Sequence, residues 1–409
     1  MARQLQDAYI VAAARTPIGR SNRGVFRNTR PDDLLIAAIR GALAQVPGLD
    51  PLAIEDAIIG CAMPEAEQGM NMARVAALLA GLPNRVGGVT VNRFCASGVT
   101  AIQMAADRIR VGEAEVMIAG GAESMSLIPR GGNKPSFNPL VFAGDENLGI
   151  AYGMGLTAEK VAAQWKVSRE RQDAFAFESH RRAIAGIAAG EFTDEIIPVD
   201  AIERVPDLAG GAIVERRRTV RIDEGPRADT SLEALARLKP VFAAPRDPSG
   251  RETGLGTVTA GNSSQTSDGA GALVLASETA VRRFGLTPLA RFVSFAVRGV
   301  PPEIMGIGPI EAIPAALAAG GISLADLGWI ELNEAFAAQS LAVIDTVGLD
   351  PAKVNPLGGA IALGHPLGAT GAIRACTTIH GMRRRGLRYG MVTMCVGTGQ
   401  GAAGIFERV

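Results

Sequence analysis

A strand, a tight bend and a helix recur in the same order at two places, one headed by Cys95 and the other by His365. A chain that repeats this unit is constrained to a layered α/β fold with two like halves. In the first unit the β-branched run Gly88-Val89-Thr90-Val91 ends in the polar turn Asn92-Arg93-Phe94-Cys95. Apolar residues at helical spacing follow over 101–109, and a second apolar run, 115–121, ends in glycines. In the second unit Val354-Asn355-Pro356-Leu357-Gly358-Gly359 leads into Gly364-His365-Pro366-Leu367-Gly368-Ala369-Thr370-Gly371. A helix is expected over 372–384 and a strand over 390–395. Both units run turn, reactive side chain, small residues, helix, strand. The arrangement predicts an internal duplication, two related domains side by side.

The rest of the chain keeps the alternation. A buried strand is expected over 8–14, and a helix over 34–44 opened by Pro31, Asp32 and Asp33. A strand over 56–60 and a helix over 72–80 precede the Cys95 unit. Later come a strand over 269–276, a second series of elements starting at 288–297, a strand over 329–332, and helices over 309–319 and 335–347. Such alternation predicts α/β layers with a mostly parallel sheet. Between 125 and 255 the texture changes: Pro129, Gly131, Gly132, Pro135 and Pro139 make an irregular stretch, and a long helical region follows over 157–189. Residues 190–255 are polar and turn-rich, and Arg216-Arg217-Arg218 reads as a solvated face. The expected organisation is therefore 1–124 plus 256–278 as a first half, 125–255 as an insertion, and 279–409 as a second half.

Composition excludes several classes. Lys+Arg and Asp+Glu are both 41, so no basic field is available to draw in nucleic acid. Four cysteines (61, 95, 376 and 395) form no CxxC pair and make no disulfide framework. Three histidines (180, 365 and 380) lack metal-ligand spacing, so no metal is expected. No signal peptide is expected over 1–15, and no uncharged apolar run reaches the roughly 18–20 residues of a membrane span. A soluble, cytoplasmic protein is the expectation.

The candidates for chemistry all stand at or just beyond the ends of apolar strands, where open α/β sheets bind ligands. Cys95 lies where a helix begins, among unpaired N–H groups that are expected to lower a thiol pKa. A buried cysteine acting as a small hydrophobe is the alternative reading. Asn333 follows the strand 329–332, and a helix N-cap would also explain it. His365 lies in a loop rich in Gly and Pro, a poor setting for a packing role. Cys395 closes Met391-Val392-Thr393-Met394 and precedes Gly397-Thr398-Gly399. Cys61 and Cys376 read as inert.

Together, Asn92-Arg93-Phe94-Cys95-Ala96-Ser97-Gly98, Asn333-Glu334-Ala335-Phe336, Gly364-His365-Pro366-Leu367-Gly368 and Met394-Cys395-Val396-Gly397-Thr398-Gly399 resemble the thiolase family. The likeness covers essentially the whole chain. It implies a thiolase fold: two duplicated βαβαβαββ-type halves, each a five-stranded sheet, in an α-β-α-β-α sandwich with an inserted loop domain. It implies Cys95 as the acyl-carrying nucleophile and His365 as the base that deprotonates it. Asn333 would hold a water in the oxyanion site, Cys395 would be the acid/base at C2 of acetyl-CoA, and the N–H groups of Cys95 and Gly397 would form a second oxyanion hole. Coenzyme A would be a substrate rather than a permanently bound cofactor. Arg227 would sit near its nucleotide end, Ser264 along the pantetheine arm, and Met154 and Phe336 beside the substrate. Ala234 stands where biosynthetic members have a serine.

Gly153 where biosynthetic members place a histidine, Ser264-Gln265, Gly397-Thr398-Gly399 and Cys61-Ala62-Met63-Pro64-Glu65 point to the degradative class. That class cleaves 3-ketoacyl-CoA with CoA in fatty-acid β-oxidation, an acetyl-CoA C-acyltransferase activity. The alternative is an acetoacetyl-CoA thiolase that condenses two acetyl-CoA. More distant alternatives are a carrier-protein-dependent condensing enzyme, which lacks a cysteine at the position of Cys395, and a non-catalytic lipid-binding relative. The resemblance also implies a homodimer, or a homotetramer through 126–133, and allows a hydratase/dehydrogenase partner subunit.

Overall fold

The structure, a computed structural model, describes residues 5–207, 209–242 and 256–409. The expected end of the insertion, 243–255, and residues 1–4 of the amino-terminal stretch lie outside the described residues. The first half opens with β1 (Ala8–Arg15) and a two-residue strand β2 (Gly19–Arg20), then α1 (Pro31–Ala44) and β3 (Ile54–Gly60). It continues through α2 (Met72–Leu79), β4 (Val89–Val91), α3 (Ser97–Arg110) and β5 (Val116–Ser124). α1 starts as its sequence dictates, with Pro31 at the first helical position and Asp32 and Asp33 in the first turn.

The inserted region carries α4 (Met154–Gln164), α5 (Arg169–Ala188), the hairpin β6 (Val199–Asp207)–β7 (Ala212–Val220) and the short α6 (Leu232–Ala236). The single helical region expected over 157–189 is thus two helices. Lys166 takes a left-handed φ of 54°, and Ser168 caps α5 by accepting from Arg171 N. The arginine run lies on β7, exposed from Ala212 through Thr219.

β8 (Ser267–Ser277), wholly buried, returns to the core, with α7 (Glu278–Phe284) after it. The second half is β9 (Ala290–Gly299), α8 (Gly308–Gly320), β10 (Leu327–Leu332), α9 (Ala337–Val347), α10 (Ala360–Leu363), α11 (Leu367–Arg385), β11 (Tyr389–Val396) and β12 (Gln400–Arg408). α11 begins five residues before its expected start: Gly368 and Gly371, read as loop residues, lie inside the helix.

The strand order shows the duplication directly. The first half runs β4-β3-β5-β8-β1. The second runs β10-β11-β12-β9, and an isolated parallel bridge from Ile330 to Val354 extends it beyond β10. In each half the strands at one side are parallel (β4/β3/β5; β10/β11), and the last two pairings are antiparallel. The sheets are therefore mixed rather than mostly parallel. A short hairpin links β11 to β12, and a hairpin can join only antiparallel neighbours. The two sheets touch at one edge, where Tyr9 and Ile10 of β1 pair with Arg291 and Ala290 of β9.

α3 and α11 pack on each other and on strands of both sheets, while α1 and α2 cover the outside of the first sheet. α8 and α9 cover the outside of the second, with Ile313, Val343 and Ile344 in one apolar cluster with Leu332 and Ile405. The layers are α-β-α-β-α. Among the described residues no helix is long and apolar enough to cross a membrane.

Candidate active site

The bend before α3 is built by local hydrogen bonds. Asn92 Oδ1 accepts from Phe94 N at 2.8 Å; Ser97 Oγ accepts from Arg93 N at 2.8 Å and donates to Phe94 O at 2.7 Å. These bonds hold Phe94 at a φ of +43°, which a residue with a Cβ rarely adopts. One 3₁₀ turn, Phe94–Ala96, then presents Cys95, which is 9% exposed, ahead of the first helical residue of α3.

His365 comes from the equivalent bend of the second half. Gly364 has a φ of +105°, and a Cβ there would lie 2.4 Å from Ser267 Oγ, so only glycine fits. The backbone N–H of His365 lies 3.1 Å from Gln265 O and 3.2 Å from Ser267 Oγ. α11 and α3 cross almost without side chains between them: a Cβ on Gly371 would lie 2.3 Å from Val99 N, and one on Gly98 would lie 2.6 Å from Ala372 N. That close approach brings His365 Nε2 to 3.3 Å from Cys95 Sγ. His365 Nδ1 is 2.7 Å from Thr370 Oγ1. With Nδ1–H donating to Thr370, the Nε2 lone pair faces the thiol.

Asn333 is 2% exposed, with Nδ2 3.3 Å from His365 Nε2. It is not a helix cap, since α9 starts at Ala337 with Phe336 at the capping position. Its Oδ1 is buried and, among the described residues, has no hydrogen-bond partner. Cys395 is fully buried in β11, in an apolar cluster with Val258, Met305, Ala335 and Phe336, against which Met154 packs. The turn from β11 to β12 is Gly397-Thr398-Gly399, with φ of 66° and 90° at Thr398 and Gly399. This turn aims the Gly397 N–H, with that of Cys95, at the Cys95 sulfur, where both favour the thiolate.

The expectation of a lowered Cys95 pKa does not hold in this state. Burial outweighs the N–H groups and pushes the thiol up to about 12. Burial, with the Arg374 guanidinium adding to it, pulls His365 down to about 3. Burial and the neighbouring Cys95 also push Cys395 up. The resting pair is thus a neutral thiol facing a neutral imidazole. Cys61 and Cys376 are buried and raised too, and Cys376, in the apolar core, has a backbone carbonyl, Ala14 O at 3.5 Å, as the hydrogen-bond partner of its Sγ.

The substrate-side candidates fall in two places. Met154 and Phe336 join the apolar wall around Cys395, and Ser264 N donates to Ala335 O at 3.0 Å beside it. Arg227 stands apart, exposed at a cavity of about 240 Å³ that is also lined by His180, Ala234, Leu235, Gly261 and Gln265. Its backbone N–H donates to His180 Nδ1 at 3.1 Å. Sequence reasoning missed Thr370 and the fully buried Glu123. The signal for Glu123 was available: it is the one charge in the otherwise uncharged strand Val116–Ser124.

A duplicated five-layer fold with a buried thiol–imidazole pair and a second thiol beside it fits the acyltransferase class. Residues 8–279 match the family model "Thiolase, N-terminal domain", and residues 286–408 match "Thiolase, C-terminal domain". The chain belongs to the thiolase family. It is 48% identical to a 3-ketoacyl-CoA thiolase of Bacillus subtilis over 404 residues, which is 98% of this chain and 100% of that one. Among solved structures it is similar to human mitochondrial 3-ketoacyl-CoA thiolase in complex with CoA (TM-score 0.85, 38% identity, 99% of this chain and 98% of that chain). It is equally similar to a Bacillus anthracis acetyl-CoA acetyltransferase (TM-score 0.86, 38% identity, 100% of both chains).

Proposed function

We propose that the chain is a degradative thiolase that cleaves 3-ketoacyl-CoA with CoA, giving acetyl-CoA and a shortened acyl-CoA. The observation that carries this reading is the 3.3 Å contact of Cys95 Sγ with His365 Nε2, beside a second buried thiol that feels the first. His365 Nε2 takes the Cys95 proton as the sulfur attacks the C3 carbonyl. The C2–C3 bond then breaks; its electron pair goes to the acetyl-CoA enolate, which takes a proton at C2 from Cys395. The acyl group remains on Cys95 as a thioester. CoA gives its thiol proton to Cys395, attacks the thioester, and leaves as acyl-CoA while Cys95 recovers its proton from His365.

Two sites stabilise the oxyanions: Asn333 with His365 Nε2, and the N–H groups of Cys95 and Gly397. Ser264, Met154 and Phe336 line the substrate arm. Arg227, at its separate cavity, takes the nucleotide end of CoA, which is the ligand of the human structure. A Cβ on Gly153 would meet nothing within 4 Å, and the open space favours acyl chains longer than acetoacetyl. The B. subtilis relative carries the degradative name, although the fold is as close to an acetyltransferase.

The division into 1–124 plus 256–278, 125–255 and 279–409 and a cytoplasmic location belong to the same reading. So does a homodimer or homotetramer: the second edge of β4 has no paired strand among the described residues. Thiolysis rates for 3-ketoacyl-CoA of about four to about sixteen carbons test the class; activity confined to acetoacetyl-CoA would reject the degradative reading.

A further inference from the structure

Glu123, the next-to-last residue of β5, is fully buried, and among the described residues no cation pairs with it. Its oxygens instead collect donors. Oε2 accepts from Ala62 N at 2.7 Å and from Gly368 N at 2.8 Å. Oε1 accepts from Gln68 Nε2 at 2.7 Å and Met63 N at 3.2 Å, with Cys61 Sγ at 3.9 Å. The Gln68 amide is fixed, because its Oε1 accepts from Ser124 N at 2.5 Å and so turns its NH₂ toward the carboxylate. Every close partner is therefore a donor, and a carboxylate that only accepts is the form that fits.

Two of these bonds lead to the reacting atoms from opposite sides. Gly368 is three residues past His365, in the first turn of α11. Ala62 O accepts from Asn92 Nδ2 at 3.0 Å, and Asn92 Oδ1 accepts from the N–H of Phe94, the strained residue before Cys95. One carboxylate thus spans the base's loop and the nucleophile's bend, which belong to different halves of the chain.

We propose that Glu123 is a positioning residue: its buried carboxylate ties the Cys95 bend to the His365 loop and so sets the thiol against the imidazole. The inference rests on the acyl-enzyme reading above. An amide at 123 must set its NH₂ against one of the donors, which breaks one tie and removes the charge.

The test is Glu123→Gln, with alkylation of Cys95 by iodoacetamide followed by peptide mass, and steady-state thiolysis. Thiolysis kcat should fall at least about tenfold with KM for CoA little changed, since reacting groups 1 Å out of place lose rate rather than binding. Alkylation at about pH 8 should meanwhile stay on Cys95 alone. A merely loosened core would label Cys61, Cys376 and Cys395 as well and would overturn the idea, as would a wild-type kcat. Asn92→Ser, at an exposed residue, keeps an oxygen for Phe94 N and cuts the Nδ2 tie to Ala62 O. It should lower kcat with no change in Cys95 alkylation. If Glu123→Gln does not fold, an unchanged kcat in Asn92→Ser overturns the proposal and a lowered one supports it. Wild-type enzyme that forms no acyl-Cys95 would instead sink the thiolase mechanism itself.

Discussion

The two halves share one strand order and differ most in one connection. From β5 to β8 the first half spends residues 125–266; from β11 to β12 the second half spends only 397–399. The long connection carries α4 to α6 and the cavity at Arg227, where the nucleotide end of the substrate is proposed to bind. The short one is a hairpin turn that delivers a backbone N–H to the Cys95 sulfur. On that proposal the same junction serves recognition in one half and charge stabilisation in the other. An insertion is tolerated there because the cost of closing a loop grows only slowly with its length.

Breaking the halves apart chemically should give effects in a definite order. Cys95→Ser, in the first half, should lower thiolysis by at least about 10⁴-fold and abolish the acyl mass on the Cys95 peptide. A label that survives would place the nucleophile elsewhere. Cys395→Ala, in the second half, should cost about 10²–10⁴-fold in acetoacetyl-CoA thiolysis while sparing part of the exchange of labelled CoA with acetyl-CoA. Equal loss of both activities would show that the two thiols do not divide the work. Asn333→Ala should cost about 10²–10³-fold in kcat, the scale of one lost oxyanion group.

Smaller effects are expected from the long connection. Arg227→Ala should raise KM for CoA about tenfold with kcat nearly constant, the signature of binding lost equally in ground and transition states. An unchanged KM would remove Arg227 from the site. The subtlest test concerns the neutral resting pair. With Cys95 held up at about 12 and His365 down at about 3, iodoacetamide alkylation of Cys95 should keep rising from about pH 6 to about pH 9. A plateau across that range would mean a preformed thiolate–imidazolium pair.

How much of this was legible in the sequence depends on whether a feature is local. The bends at Cys95 and His365, the helix start at Pro31 and the buried strand 269–276 could be read from neighbouring residues, because turns, caps and apolar runs are decided within a few positions. The four motifs and the duplication followed from the same local signals. Gly368 and Gly371 misled, since small residues that suggest a loop serve here to let α3 and α11 touch. Lys166, which splits α4 from α5, has no flanking Gly or Pro to betray it.

What only the tertiary structure decided is everything that depends on partners distant in sequence. Strand direction in β8 and β12, the thiol–imidazole contact across 270 positions and the donors gathered on Glu123 all lie in this group. So does the protonation of the site. The sequence placed Cys95 at a helix start, where the local field lowers a thiol pKa, but burial between two sheets removes water from the charged form and outweighs that field. The residue types and their order were set by the sequence; desolvation, which exists only once the layers close, set their charge.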